Sequence, residues 1–270
     1  MLYIGESINA TIKSVKKAIL AQDEDFLINL AKLQVETGSD ILDANAGTGR
    51  DQEAEDLVWL VELIQKNVDV PLCLDSSDPK AIEPAMKVHK GVPMINSISG
   101  EQQKMDALLP VVANAPCKVV ALCIGNKGIP ATPEERFEVG RSVVNELEKA
   151  GVKKEDIYLD AIVMGVATDC NAGVVTLKTL ELIKKELPDV KTVFPVSNVG
   201  FGLPGRAWFN SIFTAFAVER GLDALICDTR SRKIMTSVMS SEVLLARDNF
   251  CLSYLKAYKK GLLDQQKSKK

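Results

Sequence analysis

Histidine is nearly missing from this chain: His89 is the only one in 270 residues. A catalytic zinc site gathers His, Cys and carboxylate ligands, and Ser-His-Asp or Cys-His machinery needs a histidine beside its nucleophile. His89 supports neither. It falls late in a helical stretch expected over residues 80–90 and reads as a helix-end residue at the bottom of the fold, where positive charge is favoured. Cysteines stand at 73, 117, 123, 170, 227 and 251, with no CxxC pair among them. Cys73, Cys123 and Cys227 lie in apolar runs, where a thiol acts as a small hydrophobe. Cys170, in TDCNAG, is the one expected at the surface. Basic residues are not in excess: 33 Lys and Arg against 36 Asp and Glu leave a net charge of −3, so no electrostatic footprint for nucleic acid is present. No apolar run approaches the roughly 20 residues of a membrane span. MLYIGES lacks the basic start and cleavage site of a secretory signal, and a cytoplasmic location is expected.

The chain does have a repeating rhythm. Short apolar runs lead to a polar side chain able to do chemistry, and an amphipathic stretch usually follows. LYIGE reaches Glu6, ILDAN Asp43 and Asn45, PLCLDSS Asp75, VPMINS Asn96, DIYLD Asp160, VFPVSN Asn198 and ALICD Asp228. An eighth run, KVVALCIG, ends in Gly125 with Asn126 beyond it. Strands are expected over residues 2–4, 40–44, 71–75, 92–96, 118–123, 157–160, 192–196 and 224–227. Helices are expected over 25–37, 54–66, 80–90, 101–114, from Thr132 onward, 174–187, 208–220 and 232–247, with an extra helix over 249–260 and a charged tail, DQQKSKK. Gly38 stops the first helix, Asp78 with Pro79 starts the third, and Thr132, Pro133 and Glu135 form a capping box.

The apolar runs are continuous rather than alternating, as in a parallel sheet buried on both faces. Eight β-then-α units predict a (β/α)8 TIM barrel, a fold of roughly 250 residues, here as one domain over 1–270. A doubly wound open sheet is the rival. In a barrel the C-terminal ends of the strands meet at one mouth, so the ring of carboxylates and amides converges on one ligand. Such a ring suits a neutral, hydrogen-bond-rich organic molecule and argues against a metal. Gly200, Gly202 and Gly205 spell GxGxxG, with Asp228 about 20 residues on, as in a dinucleotide fold. Yet this unit is the seventh of eight and Pro204 interrupts the start of the helix, so a loop that closes over a ligand is the better reading.

Asp75, Asn96 and Asp160 form the most informative subset. A carboxylate accepts two parallel N–H bonds from a planar donor pair, which a 2-aminopyrimidinone ring presents. An amide both donates and accepts and meets the mixed edge of the same ring. LYIGESIN, DILDANAG, LCLDSSDPKAIEPAM, MINSIS and the pair Ser197–Asn198 resemble the methyltetrahydrofolate–corrinoid methyltransferases. These belong to the pterin-binding barrels, with dihydropteroate synthase and the folate module of methionine synthase. The resemblance runs along essentially the whole chain. It implies a pterin held by Asp75, Asn96 and Asp160, with Asn198 beside the methyl-bearing N5. Glu6, Asn9, Asp43 and Asn45 complete the floor, and Ser197 joins the site. The catalytic residues it implies are Asn198 and Asp160. The ligands implied are tetrahydrofolate or 5-methyltetrahydrofolate and a cobalamin-type corrinoid carried by a separate partner protein, because DxHxxG is absent here. A homodimer is implied as well, with the extra C-terminal helix and exposed apolar helix faces as interface candidates.

One departure stands out. The family often reads GERIN where this chain has GESIN, so Ser7 leaves Glu6 without an adjacent cation, and Arg50 or Arg206 is a candidate replacement. Arg206 pairs with the glutamate tail of folate or is a surface charge. Asp228 reads as a structural acceptor. Methyl transfer at a tertiary amine needs hydrogen-bonding or protonation at N5, which the Asn198 amide can serve electrostatically. The direction of transfer stays open, with Ser7 favouring a demethylation system (an O-demethylation, for example) over a central pathway. Dihydropteroate synthase would need an NxTPDSF start, where NATIKSV stands, and a late lysine with SxR. A non-catalytic pterin-binding protein is a further alternative. An aldolase would need a Schiff-base lysine at a strand end, and none is there. The mouth is expected to be wide, with mobile loops at 47–51, 125–131 and 200–206.

Overall fold

The computed structural model describes residues 1–49 and 52–265. Eight parallel strands, β1 (Leu2–Asn9), β2 (Ile41–Asn45), β3 (Leu72–Asp75), β4 (Met94–Gly100), β5 (Lys118–Gly125), β6 (Ile157–Asp160), β7 (Lys191–Pro195) and β8 (Ala224–Cys227), pair in sequence order and close on themselves. Ten α-helices lie among the described residues: α1 (Lys13–Leu20), α2 (Glu24–Glu36), α3 (Glu53–Asn67), α4 (Pro79–Val88), α5 (Gln102–Ala113), α6 (Pro133–Lys149), α7 (Ala172–Glu186), α8 (Arg206–Glu219), α9 (Arg232–Leu244) and α10 (Leu252–Lys259). The open-sheet alternative is thereby excluded. None of these helices is long and apolar enough to cross a membrane.

The strand period explains why the runs are continuous. Successive side chains point to opposite faces. Ile4, Ile41, Cys73, Met94, Val120, Tyr158, Val193 and Ala224 fill the lumen as one buried plug. Their outward neighbours pack under the helices, as Leu42, Leu74, Ile95, Ala121 and Leu159 do. Both faces are therefore dry, and apolar residues occupy both parities.

Several boundaries differ from expectation. β1 runs to Asn9 rather than ending near residue 4, and β4 runs to Gly100 rather than Asn96. In both cases polar side chains enter the lumen while the backbone ladder continues, with Ile8 paired to Ala44 and Ser99 to Leu122. The apolar signal stops before the strand does. Helix α1 was not expected at all: its three lysines (Lys13, Lys16, Lys17 against Val15, Ala18, Ile19) hide a narrow buried stripe. The capping box at Thr132 and Glu135 is formed on both sides. The extra C-terminal helix is broken, because Phe250 and Cys251 take left-handed conformations ahead of α10.

His89 caps the end of α4 rather than lying inside it. Its Nε2 accepts the Leu72 N–H at 3.0 Å, at the bottom of β3. Burial lowers its pKa. A ring nitrogen that accepts is neutral, so the favourable-charge reading fails. Cys73, Cys123 and Cys227 are buried and Cys170 is exposed.

Candidate active site

The site follows from the plug by one step of the strand period. Two residues beyond Ile4, Ile41, Cys73, Met94, Tyr158 and Ala224 stand Glu6, Asp43, Asp75, Asn96, Asp160 and Ile226. All six line a cavity of about 830 Å³ at the C-terminal ends of the strands, within the roughly 300–1,000 Å³ of small-molecule pockets. Asn9, Ser197, Asn198 and Arg206 line it too. Residues 191 positions apart in sequence thus touch: the Ser197 hydroxyl donates to Glu6 Oε2 at 3.3 Å.

Asn45 is the one candidate that does not face the cavity. It stands behind Asp75, donating to its carboxylate at 3.0 Å and to its backbone oxygen at 3.2 Å. Asn96 is similarly braced, donating to Asp43 Oδ1 at 3.2 Å. Asp43 is wholly buried, and burial first, then the Asp75 charge, raises its pKa well above the carboxylate range. Asp75 is raised as well, chiefly by burial. Two neighbouring carboxyls in a dry site cannot both ionise, and burial together with the Asp75 charge favours the neutral form of Asp43. Asp160 accepts the Ile162 N–H at 2.7 Å, and burial pushes its carboxyl up to about 7. Ile162 has φ 60°, a strained conformation for a β-branched residue. Glu6 is also pushed up to about 7, mainly by burial. The Asn198 side chain, exposed to the cavity, makes no hydrogen bond within the described residues, so its amide is free for a ligand.

Arg206 is the first residue of α8 rather than a loop residue. It donates to the Ser197 carbonyl at 2.7 Å and lies over the Phe201 ring at 5.4 Å. Its charge lowers the Glu6 pKa without forming an ion pair among the described residues. Arg50, the other candidate for Glu6, and Asp51 of the 47–51 loop lie outside the described residues, as does the tail from 266 on. Beside Ser7 the cation comes from elsewhere: Arg230, after β8, grips Asp228 at 2.8 and 2.9 Å and donates to Ser7 Oγ at 3.2 Å. Arg230, Thr11 and Asn210 line the cavity and had no signal in the sequence, being loop and helix residues outside any apolar run. Asn210 Oδ1 is buried without a partner. The 125–131 loop is a tight turn, cross-bonded between Gly125 and Gly128 at 2.8 and 3.1 Å.

The arrangement offers a planar heterocycle acceptors from Asp75 and Asp160, a mixed donor–acceptor from Asn96, and a free amide in the same cavity at Asn198. Over its full length the chain is 34% identical to the methylcorrinoid:tetrahydrofolate methyltransferase of Eubacterium limosum, whose whole length is covered. It is 29% identical to the methionine synthase of Mycobacterium tuberculosis over 84% of this chain, which spans 20% of that larger protein. Its fold matches the dihydropteroate synthase of Yersinia pestis with a TM-score of 0.68 at 15% identity, over 91% of this chain and 93% of that one. The enzyme from Xanthomonas albilineans, solved in complex with 7,8-dihydropteroate, matches with a TM-score of 0.65 at 20% identity, over the same shares. The family of pterin-binding enzymes matches residues 5–228, from Gly5 within β1 to Asp228, and this chain belongs to it.

Proposed function

We propose that this chain is a methyltransferase that moves a methyl group between the cobalt of a methylcorrinoid, held by a partner protein, and N5 of tetrahydrofolate. The observation that carries it is the lumen ring of Asp75, Asn96 and Asp160 in one cavity with the unbonded Asn198 amide. The full-length similarity to a protein named for this reaction supports it. That name also favours methyl transfer from the corrinoid to the folate, as a demethylation system requires. The residues present fit a pterin: an 830 Å³ cavity, carboxylates and amides on the strand ends with Arg206 and Arg230 beside them, and acceptors fixed by Asn45 and the Ile162 amide.

In this reading Asp160 and Asp75 take the ring N–H groups and Asn96 the mixed edge. Asn45 and Asp43 act behind Asp75 and Asn96. When present, the corrinoid supplies an electrophilic methyl and departs with the bonding pair as cobalt(I). N5 forms the new C–N bond with its lone pair and then gives up a proton. Asn198 accepts from N5–H before transfer and, turned over, donates to N5 afterwards. Glu6, joined to Ser197 and with its carboxyl pushed up to about 7, is suited to accept that proton. Asn9 and Arg206 flank the folate toward the mouth, Arg206 meeting the anionic tail. The chain acts as one domain and as a homodimer, in the cytoplasm.

Calorimetric titration with 5-methyltetrahydrofolate tests the site. Wild-type binding that disappears in Asp160→Ala supports it, and a wild type that takes up no folate removes the whole reading.

A further inference from the structure

Arg136 belongs to α6, outside the lumen, yet only 4% of it is exposed. A buried guanidinium is costly unless its donors are satisfied and its charge is offset. Its donors go to backbone oxygens of two different mouth loops. Nε bonds the Pro130 carbonyl at 2.9 Å, in the loop after β5. Nη1 bonds the carbonyls of Ala161 and Ile162 at 3.1 and 2.7 Å, in the loop after β6. Ile162 is the residue whose N–H holds Asp160 Oδ1 at 2.7 Å. Its carbonyl takes a second bond from the Thr176 hydroxyl of α7 at 2.8 Å. The left-handed backbone at Ile162 is therefore pinned from both sides, and Arg136 holds both its carbonyl and that of the preceding Ala161.

The charge is offset less obviously. Among the described residues Arg136 forms no ion pair with a carboxylate. The titratable groups that face it are Asp160 of β6, the Cys123 thiol of β5, and Asp169 in the loop before α7. Asp160 faces Arg136 and Cys123 in turn. Asp160 is the only wholly buried acid in this set, and it is the one that lines the cavity.

We propose that Arg136 is a positioning residue for ligand binding, which sets the orientation and ionisation of Asp160 and ties the loops after β5 and β6 to it. The reading of Asp160 as a pterin acceptor underlies the ligand half of this proposal. The ionisation half stands on the ligand-free protein. Arginine is required rather than any cation, because a lysine cannot reach three carbonyls at once.

The experiment uses the full chain. The protonated carboxyl of Asp160 is followed by infrared spectroscopy against pH, assigned by its loss in Asp160→Asn. Loss of a nearby opposite charge raises a carboxyl pKa by about one unit or more, so Arg136→Gln should raise the Asp160 midpoint by that amount. It should also weaken 5-methyltetrahydrofolate binding at neutral pH by about tenfold. Arg136→Lys keeps the charge: its Asp160 midpoint should stay near that of the wild type while folate affinity still falls several-fold. A folded Arg136→Gln protein with an unmoved midpoint overturns the proposal. If that variant does not fold, Arg136→Lys decides, because wild-type affinity in it means the loop ties are irrelevant. A wild type that binds no folate but shows the midpoint shift in Arg136→Gln condemns the methyltransferase reading and leaves the electrostatic role of Arg136 standing.

Discussion

Asp160 illustrates how burying a carboxyl at the barrel mouth costs stability. Its carboxyl titrates near 7 in the folded chain against about 3.9 when unfolded. Between those values the native state holds a proton that the unfolded state has lost. Stability from this group therefore falls as pH rises from about 4 toward 7, and the penalty is complete above 7. Asp160→Asn should accordingly raise the melting temperature of the ligand-free protein by several degrees at pH 8, with little change near pH 4. The same variant should lose folate. Scanning calorimetry at the two pH values checks the sign, and equal melting shifts at both would contradict it. For the wild type, folate affinity should weaken as pH falls below about 7, where Asp160 and Glu6 take up protons. Asn198 has the opposite profile, being free, polar and exposed to the cavity. Asn198→Ala should leave folate affinity within a few-fold and slow methyl transfer by roughly 10²–10³. Single-turnover transfer from methylcobalamin to tetrahydrofolate separates the two effects.

At the scale of elements, close approach decides two sites. Gly140 lets α6 settle on β5 and β6: a Cβ there would stand 2.7 Å from Cys123 Sγ and 3.0 Å from Leu159 Cδ2. Ala is favoured over Gly in a helix by about 1 kcal/mol, but overpacking costs about 1–3 kcal/mol. Both neighbours are fully buried in the packed core, so the clash prevails and Gly140→Ala should lower stability in a urea titration. Because α6 also carries Arg136, the same change should weaken folate binding. The lone histidine fastens α4 to β3. His89→Ala strips the buried Leu72 N–H of its acceptor, a loss of about 1–3 kcal/mol. Since burial lowers the His89 pKa, this contribution is present above about 6.5 and disappears as acid protonates the ring. Denaturant midpoints for wild type and His89→Ala should therefore converge as pH falls below the ordinary imidazole value of about 6.5. Boundaries were legible where apolar runs coincide with strands, as at 157–160 and 224–227. They were not legible in β1 and β4, where polar side chains turn into the lumen before the ladder ends.

For the whole molecule the notable surface is α8. Trp208, Ile212 and Phe216, spaced by four along one face, are 59%, 52% and 50% exposed. The outer face of a barrel helix is ordinarily polar, and contiguous apolar surface marks contact with another protein. Leu244, Phe250 and Leu252 near the C-terminus are more exposed still. The proposed homodimer should appear in sedimentation velocity, and Phe216→Asp should shift it toward monomer if α8 forms the interface. A monomeric wild type at micromolar concentration would leave this face for the corrinoid protein instead.

The order of eight β-then-α units, the parallel sheet and the polar ring were determined by the sequence, because a strand buried on both faces must be apolar along its length until it reaches the mouth. Nine of the ten candidate site residues line one cavity, and all of these but Arg206 lie at or just past the end of an apolar run. Tertiary structure alone decided which polar residues stand behind others. Asn45 and Asp75 are 30 positions apart, and only the β2–β3 pairing puts the first behind the second. Arg136 and Arg230 act across 26 and 223 positions, and nothing in their local sequence marks them. Side-chain periodicity is a local property and can be read along the chain; the partner of a buried charge is fixed only when distant segments meet.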